Sequence, residues 1–254
     1  MKVNKKITFV TALYDIDRER SGDGRRFEDY LNWIDKTLSV DVNFIVFTES
    51  KVVPFIPKKS NIRLIETKIE DIPLFYLKHK IDSILTNETY KSNIQDPQRI
   101  ECKLSLYNII QYSKFEWLKK SIIENYFKSD YFFWIDAGCS RFFDGIKNSF
   151  PNESKMPEKF LIQGNINTSK IIINDEYKWR SDCVLVGGFF GGPNKFVIEV
   201  SEKIIDYLHK EMINKNIINN EQIALALVCS RYPELFKIFI KLHCGHLPLL
   251  KELE

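Results

Sequence analysis

From Tyr131 to Ile135 the chain reads Tyr-Phe-Phe-Trp-Ile with no polar break, and it then turns abruptly to Asp136-Ala137-Gly138. A short run that is apolar at every position predicts a strand covered on both faces, as in a mostly parallel sheet. Residues 7–13, 42–47 and 183–190 show the same character, and 62–65, 160–163 and 170–173 are shorter candidates, with 235–242 returning as an edge strand. Between the strands the apolar period changes to that of a helix. Phe27, Tyr30, Leu31, Ile34 and Leu38 share one face, residues 72–85 form a second helical segment, and residues 99–127 form a long third with a predicted break near Ser113. Pro193 is placed to open a helix carrying Val197, Val200, Ile204 and Leu208, and Asn220 to cap another over 221–229. The polar tracts 15–26, with Gly22 and Gly24, 86–97, and 144–159, with Pro151 and Pro157, predict loops. Strand, helix and strand in close succession define βαβ units and hence an α/β fold.

At 254 residues, 44% hydrophobic and 28% charged, the chain is long enough and apolar enough to bury a full core. A net charge of +3 is too mild for a dedicated nucleic-acid binder, though compatible with a small anionic ligand. Five scattered cysteines, Cys102, Cys139, Cys183, Cys229 and Cys244, form no C-x-x-C pair, which suits a reducing cytoplasm better than a disulfide framework. The apolar start leads into Asp15-Ile16-Asp17-Arg18 without a small-residue cleavage site, so a first buried strand is expected rather than a signal peptide. No apolar run reaches the ~18 residues of a membrane span, which leaves peripheral attachment to a membrane surface open.

Candidate chemistry gathers where strands end. Asp136 follows its strand at the carboxyl end, where ligands collect in parallel sheets, and Gly138 would admit a ligand close to the backbone; the alternative is an Asp that caps its own turn. Thr11, Ala12 and Tyr14 end the first strand with a small residue and an aromatic fit for a nucleotide base, and Arg18 follows within reach of phosphates. No G-x-G-x-x-G follows that strand, which argues against a dinucleotide oxidoreductase. In Gly187-Gly188-Phe189-Phe190-Gly191-Gly192 the last glycine pair suits a strand-to-helix junction, and the first pair suits a sugar ring lying on exposed backbone. Glu221, after Asn219-Asn220, is either a partner of the helix dipole or a carboxylate aimed into a cleft.

Taken in order, Val10-Thr11-Ala12-Leu13-Tyr14-Asp15-Ile16 with Arg18, Tyr112-Ser113-Lys114 ahead of Trp134-Ile135-Asp136-Ala137-Gly138, Gly188-Phe189-Phe190-Gly191-Gly192, and Asn220-Glu221-Gln222 resemble the bacterial HtrL/YibB-like family of GT-A-type glycosyltransferases. The resemblance implies one GT-A-like domain over 1–254, a mostly parallel central sheet flanked by helices, with a nucleotide-binding half at 1–140 and an acceptor-binding half at 141–254. It implies transfer of a sugar from a nucleotide-sugar donor, a UDP-sugar in first place, to a glycan or lipid-linked acceptor in surface polysaccharide synthesis, in the cytoplasm or at the inner face of the membrane. Asp136 then occupies the place of the metal-binding D-x-D motif, with Mn²⁺ or Mg²⁺ as the expected cofactor. Gly138 stands where the second Asp would be, so the metal is held through water, helped by a residue such as His243, or absent, and Lys114 and Arg18 are candidate phosphate contacts that share or replace its role. Gly187 and Gly188 fall on the donor side, Glu221 is the expected reacting carboxylate, and Asp182 is the next candidate. The rival functions are a non-catalytic glycan-binding or scaffold protein of the same fold, and a sugar nucleotidyltransferase, which would normally show a glycine-rich phosphate loop with a Lys near the first strand.

Overall fold

The computed structural model describes residues 4–143, 151–165, 172–241 and 247–254. Seven strands form one sheet: β1 (Asn4–Leu13), β2 (Val42–Thr48), β3 (Ile62–Glu66), β4 (Tyr131–Ile135), β5 (Phe160–Asn165), β6 (Leu185–Pro193) and β7 (Phe236–Lys241). Their order across the sheet is β3-β2-β1-β4-β6-β5-β7. β3, β2, β1 and β4 are parallel, β6 runs antiparallel to both β4 and β5, and β5 pairs in parallel with β7. The fold is therefore α/β with a mostly parallel sheet, as the uniformly apolar runs predict.

Because the sheet is covered on both faces, alternate residues of its central strands enter different cores. Val10, Ala12, Ile45, Phe47, Phe132 and Trp134 lie in one core, whereas Phe9, Leu13, Phe44, Val46, Phe133 and Ile135 lie in the other. A four-residue turn of helix, α1 (Arg18–Ser21), follows β1, and α2 (Phe27–Thr37) packs on the second face. The first face carries α3 (Lys78–Thr86), α4 (Glu88–Asn93), α5 (Ser105–Glu124), α6 (Asn194–Tyr207) and α7 (Glu221–Arg231); α8 (Leu247–Glu252) returns to the second. Among the described residues no helix is long and apolar enough to cross a membrane.

Several boundaries differ from the sequence pattern: α1 lies within the expected loop 15–26, the helix expected over 72–85 begins as α3 at Lys78, and the one expected over 99–127 is α5 from Ser105 to Glu124. The predicted break near Ser113 does not occur: α5 is continuous, because Tyr112, Phe115, Trp117 and Leu118 are all buried and their packing outweighs the weak propensity cost of one serine. The polar tract 86–97 contains α4, capped by Asn87 Oδ1 accepting from Tyr90 N at 3.0 Å and pinned by Tyr90 Oη donating to Ile218 O at 2.8 Å. The candidate strand at 170–173 lies partly outside the described residues, and Ile172 and Ile173 are not in a strand.

The second glycine pair is not a helix junction. Gly191 and Gly192 lie inside β6, and Pro193 both ends that strand and is the N-cap of α6, one position before the first helical residue where the sequence pattern places it. A Cβ at Gly191 would sit 2.2 Å from Phe132 O, and one at Gly192 would sit 2.6 Å from Lys159 O. Close approach of the neighbouring backbones is thus what requires both glycines.

Candidate functional site

The chain reverses its direction of travel across the sheet at β1, whose neighbours are β2 on one side and β4 on the other. The carboxyl ends of β1 and β4 lie beside each other at this reversal, the usual ligand position in open α/β sheets. A cleft of about 380 Å³ lies there, lined by the ends of β1 and β4 with the segments that follow them, the start of β6, the first turns of α2 and α7, and the first three turns of α5.

Its floor is built on Lys114. The third turn of α5 carries this ammonium into the interior, where it is 1% exposed and meets three acceptors: Glu221 Oε1 at 2.9 Å, Gly187 O at 3.1 Å and Asp136 Oδ1 at 3.1 Å. An ammonium has three N–H donors, so each is used. Trp134 Nε1 also donates to Asp136 Oδ1, at 2.7 Å, and the Lys114 ammonium lies 5.6 Å from the Trp134 ring centre. Trp134 in turn stacks on Trp117, which stacks on Tyr14 and Phe47. One face of Tyr14 is therefore occupied by protein, although the residue still borders the cleft.

Two carboxylates share one ammonium in this cluster, and that ratio governs its electrostatics. Burial drives the Glu221 carboxyl upward and Asp136 adds repulsion; Lys114 offsets only part of this, leaving Glu221 at about 7. Burial opposes the charge on Lys114, yet Asp136 and Glu221 together raise its pKa above the ordinary lysine value. Glu221 Oε2 is buried and accepts no hydrogen bond from another described residue. A buried carboxylate beside a cleft, with a pKa near neutrality and one oxygen uncommitted, has the properties of a proton acceptor.

Glu221 is held by a network behind it. Asn219 Nδ2 donates to Lys178 O and Arg180 O at 2.8 Å each, and Asn219 Oδ1 accepts from Asn220 N at 2.8 Å. Asn220 Oδ1 caps α7 through Gln222 N at 2.9 Å. Arg99 Nη1 donates to Glu101 Oε1 at 2.7 Å, and both residues reach the asparagine pair. In front, Gly187 supplies the space the carboxylate needs, since a Cβ there would be 2.3 Å from Glu221 Oε1 and 2.8 Å from Gln222 Cγ. Gly187→Ala is therefore expected to displace Glu221 and destabilise the fold by about 1–3 kcal/mol, measured by urea unfolding; an unchanged midpoint would contradict the packing.

The fold brings most of the sequence candidates together. Ala12, Tyr14, Arg18, Lys114 and Asp136 line the cleft with Gly138, Gly187, Gly188 and Glu221. Thr11 does not; it is fully buried. Asp182 also lies elsewhere, paired with Arg180 at 3.0 Å, which holds its carboxyl below the usual range. His243 lies outside the described residues. Lys114 is present, but with all three N–H donors committed it organises the carboxylates and has no donor left for a phosphate, which corrects its expected role. Arg18 is engaged as well: Nε and Nη2 each donate to Asp23 at 2.7 Å, Nη1 donates to Tyr30 Oη at 2.9 Å, and the guanidinium lies 5.1 Å from the Tyr107 ring centre. Arg141 also borders the cleft, and its one sequence signal is a cation three residues after Gly138.

A divalent ion at Asp136 would need further protein ligands. Among the described residues no group of three or more His, Cys, Asp or Glu side chains could hold a metal, and Asp136 Oδ1 already accepts from Lys114 and Trp134. This donor set does not fit a metal held by the described side chains.

Fold and site together define an α/β protein with a cleft at the crossing point of a mostly parallel sheet, floored by a buried Lys114 ammonium that joins the buried Glu221 to the partly exposed Asp136. The chain belongs to the HtrL/YibB family: the model of that family, described as a bacterial protein of unknown function, matches residues 5–246. No curated protein matches the chain.

Proposed function

We propose that this protein is a glycosyltransferase of GT-A type that moves a sugar from a nucleotide-sugar donor, a UDP-sugar in first place, to a glycan or lipid-linked acceptor. The observation that carries this reading is the Asp136–Lys114–Glu221 cluster at the carboxyl ends of the parallel strands, inside a cleft large enough for a nucleotide sugar. In the reaction the donor's anomeric C–O bond breaks, its electron pair leaves with the nucleoside diphosphate, and the acceptor hydroxyl oxygen bonds to the anomeric carbon. Glu221 accepts the hydroxyl proton, and Asp136 and Glu221 face the positive charge that develops on the sugar. Lys114 fixes both carboxylates without itself reacting. Work at the inner face of the membrane, on acceptors of surface polysaccharide synthesis, suits a chain whose described cysteines are all free thiols.

A panel of UDP- and GDP-sugars, scored by melting temperature and by release of nucleoside diphosphate, tests the reading. At least one donor is expected to raise the melting temperature and to be slowly hydrolysed. Stabilisation by a glycan with no response to UDP or GDP would favour a binding protein, and consumption of a nucleoside triphosphate with release of pyrophosphate would favour a nucleotidyltransferase.

A further inference from the structure

We propose that Arg141 is the residue that receives the donor diphosphate, and that it does so without a divalent ion. The inference rests on the nucleotide-sugar reading and adds to it the ligand for the anion. Five cations line the cleft, and four are already committed to carboxylates. Arg18 pairs with Asp23 at 2.7 Å, Arg25 with Asp23 at 3.4 Å, Arg20 with Asp17 at 4.0 Å, and Lys114 with Asp136 and Glu221. Arg141 alone among them has no carboxylate partner among the described residues.

Its side chain is nevertheless held in place. Nε donates to Gly138 O at 2.9 Å, and the guanidinium lies 4.6 Å from the Trp33 ring centre and 5.2 Å from that of Phe142. Nη1 and Nη2 donate to no described residue. An arginine anchored through Nε and by stacking, with both terminal nitrogens uncommitted, is pre-organised for the forked recognition of phosphate oxygens. It follows Asp136 on the turn after β4, and both residues line the cleft. A guanidinium held in this lining supplies the positive charge that a departing diphosphate requires, where the described residues offer no group of three or more His, Cys, Asp or Glu side chains to hold a divalent ion.

Calorimetric titration of the full chain with inorganic pyrophosphate and with UDP, in EDTA and again with Mn²⁺, tests this. Both probes are expected to bind equally well in the two conditions. Arg141→Gln should weaken binding by about tenfold or more, and Arg141→Lys by less, at an unchanged melting temperature. Binding that appears only with Mn²⁺, unaltered binding in Arg141→Gln, or no binding of either probe would overturn the inference. Failure of the functional reading looks different: metal-free binding through Arg141 with no nucleotide sugar turned over would leave the anion site standing and remove glycosyl transfer. Turnover that depends strictly on Mn²⁺ would do the reverse.

Discussion

With an active donor and acceptor in hand, Glu221→Gln is expected to lower kcat by about 100- to 10,000-fold, the range that loss of a general base produces. The substitution keeps the shape of the side chain and an oxygen to accept from Lys114, so donor affinity should persist. Stability should change little, because the cluster holds two carboxylates against one ammonium and Glu221 is the one that burial penalises most. The pH profile supplies a second check. With its carboxyl pushed up to about 7, Glu221 is in the basic form only above that pH, so turnover should fall as the pH drops below about 7. That limb should vanish in the variant. The same shift has an opposite consequence for stability: the folded state holds a proton that the unfolded chain has lost, so this group's contribution declines as the pH rises from the ordinary carboxyl value towards 7. A Glu221→Gln enzyme with normal kcat and an unaltered pH profile would reduce Glu221 to a structural role.

Lys114→Met is expected to cause the largest loss of stability of any single substitution in the site. Removing one partner from a buried ion pair typically costs about 3–5 kcal/mol, because the remaining charge is left desolvated and unpaired. Here Asp136 and Glu221 would both lose their shared ammonium, and Gly187 O would lose a donor. The deficit should shrink in acid, where Glu221 takes up a proton and no longer needs a counter-charge. Urea unfolding at pH 5 and pH 8 would measure it, with the larger loss at pH 8. A loss of similar size at both pH values would show that packing, not charge, dominates the position. Lys114 also retains its charge above the ordinary lysine range in the wild type, so the stability it contributes is complete below that range and is lost as the pH climbs through its raised value.

Much of the fold is legible in the chain because its central strands are buried on both faces. A run such as Tyr131 to Ile135, apolar at every position, is compatible with little else, and Asp136 directly after it marks the end of the strand. The helix over 221–231 is announced by Asn220, whose side chain caps it as its residue type suggests. The α4 segment is not legible, because its two buried anchors, Tyr90 and Ile94, are too few to form a periodic pattern.

The site divides in the same way. Which residues belong to it could be read from residue type beside strand ends and glycine runs: Asp136, Arg18, Lys114, Gly187 and Glu221 all reach one cleft. What each does there was decided by tertiary contacts. Lysine is usually solvated, so Lys114 reads as a phosphate contact until the fold sets it against Glu221, 107 residues away, and the carbonyl of Gly187, which consume its donors. Gly187 reads as a seat for a sugar ring until α7 places a carboxylate where its Cβ would be. Arg141 is a surface cation, as its residue type suggests, but the fold anchors it beside the cleft on Trp33 and Gly138 O while the other cleft cations pair with carboxylates. Local sequence determines where strands and helices start and stop, because that depends on residues a few positions apart. The charge state and the committed donors of a buried group depend on which distant acceptors surround it, and only the packed chain supplies those.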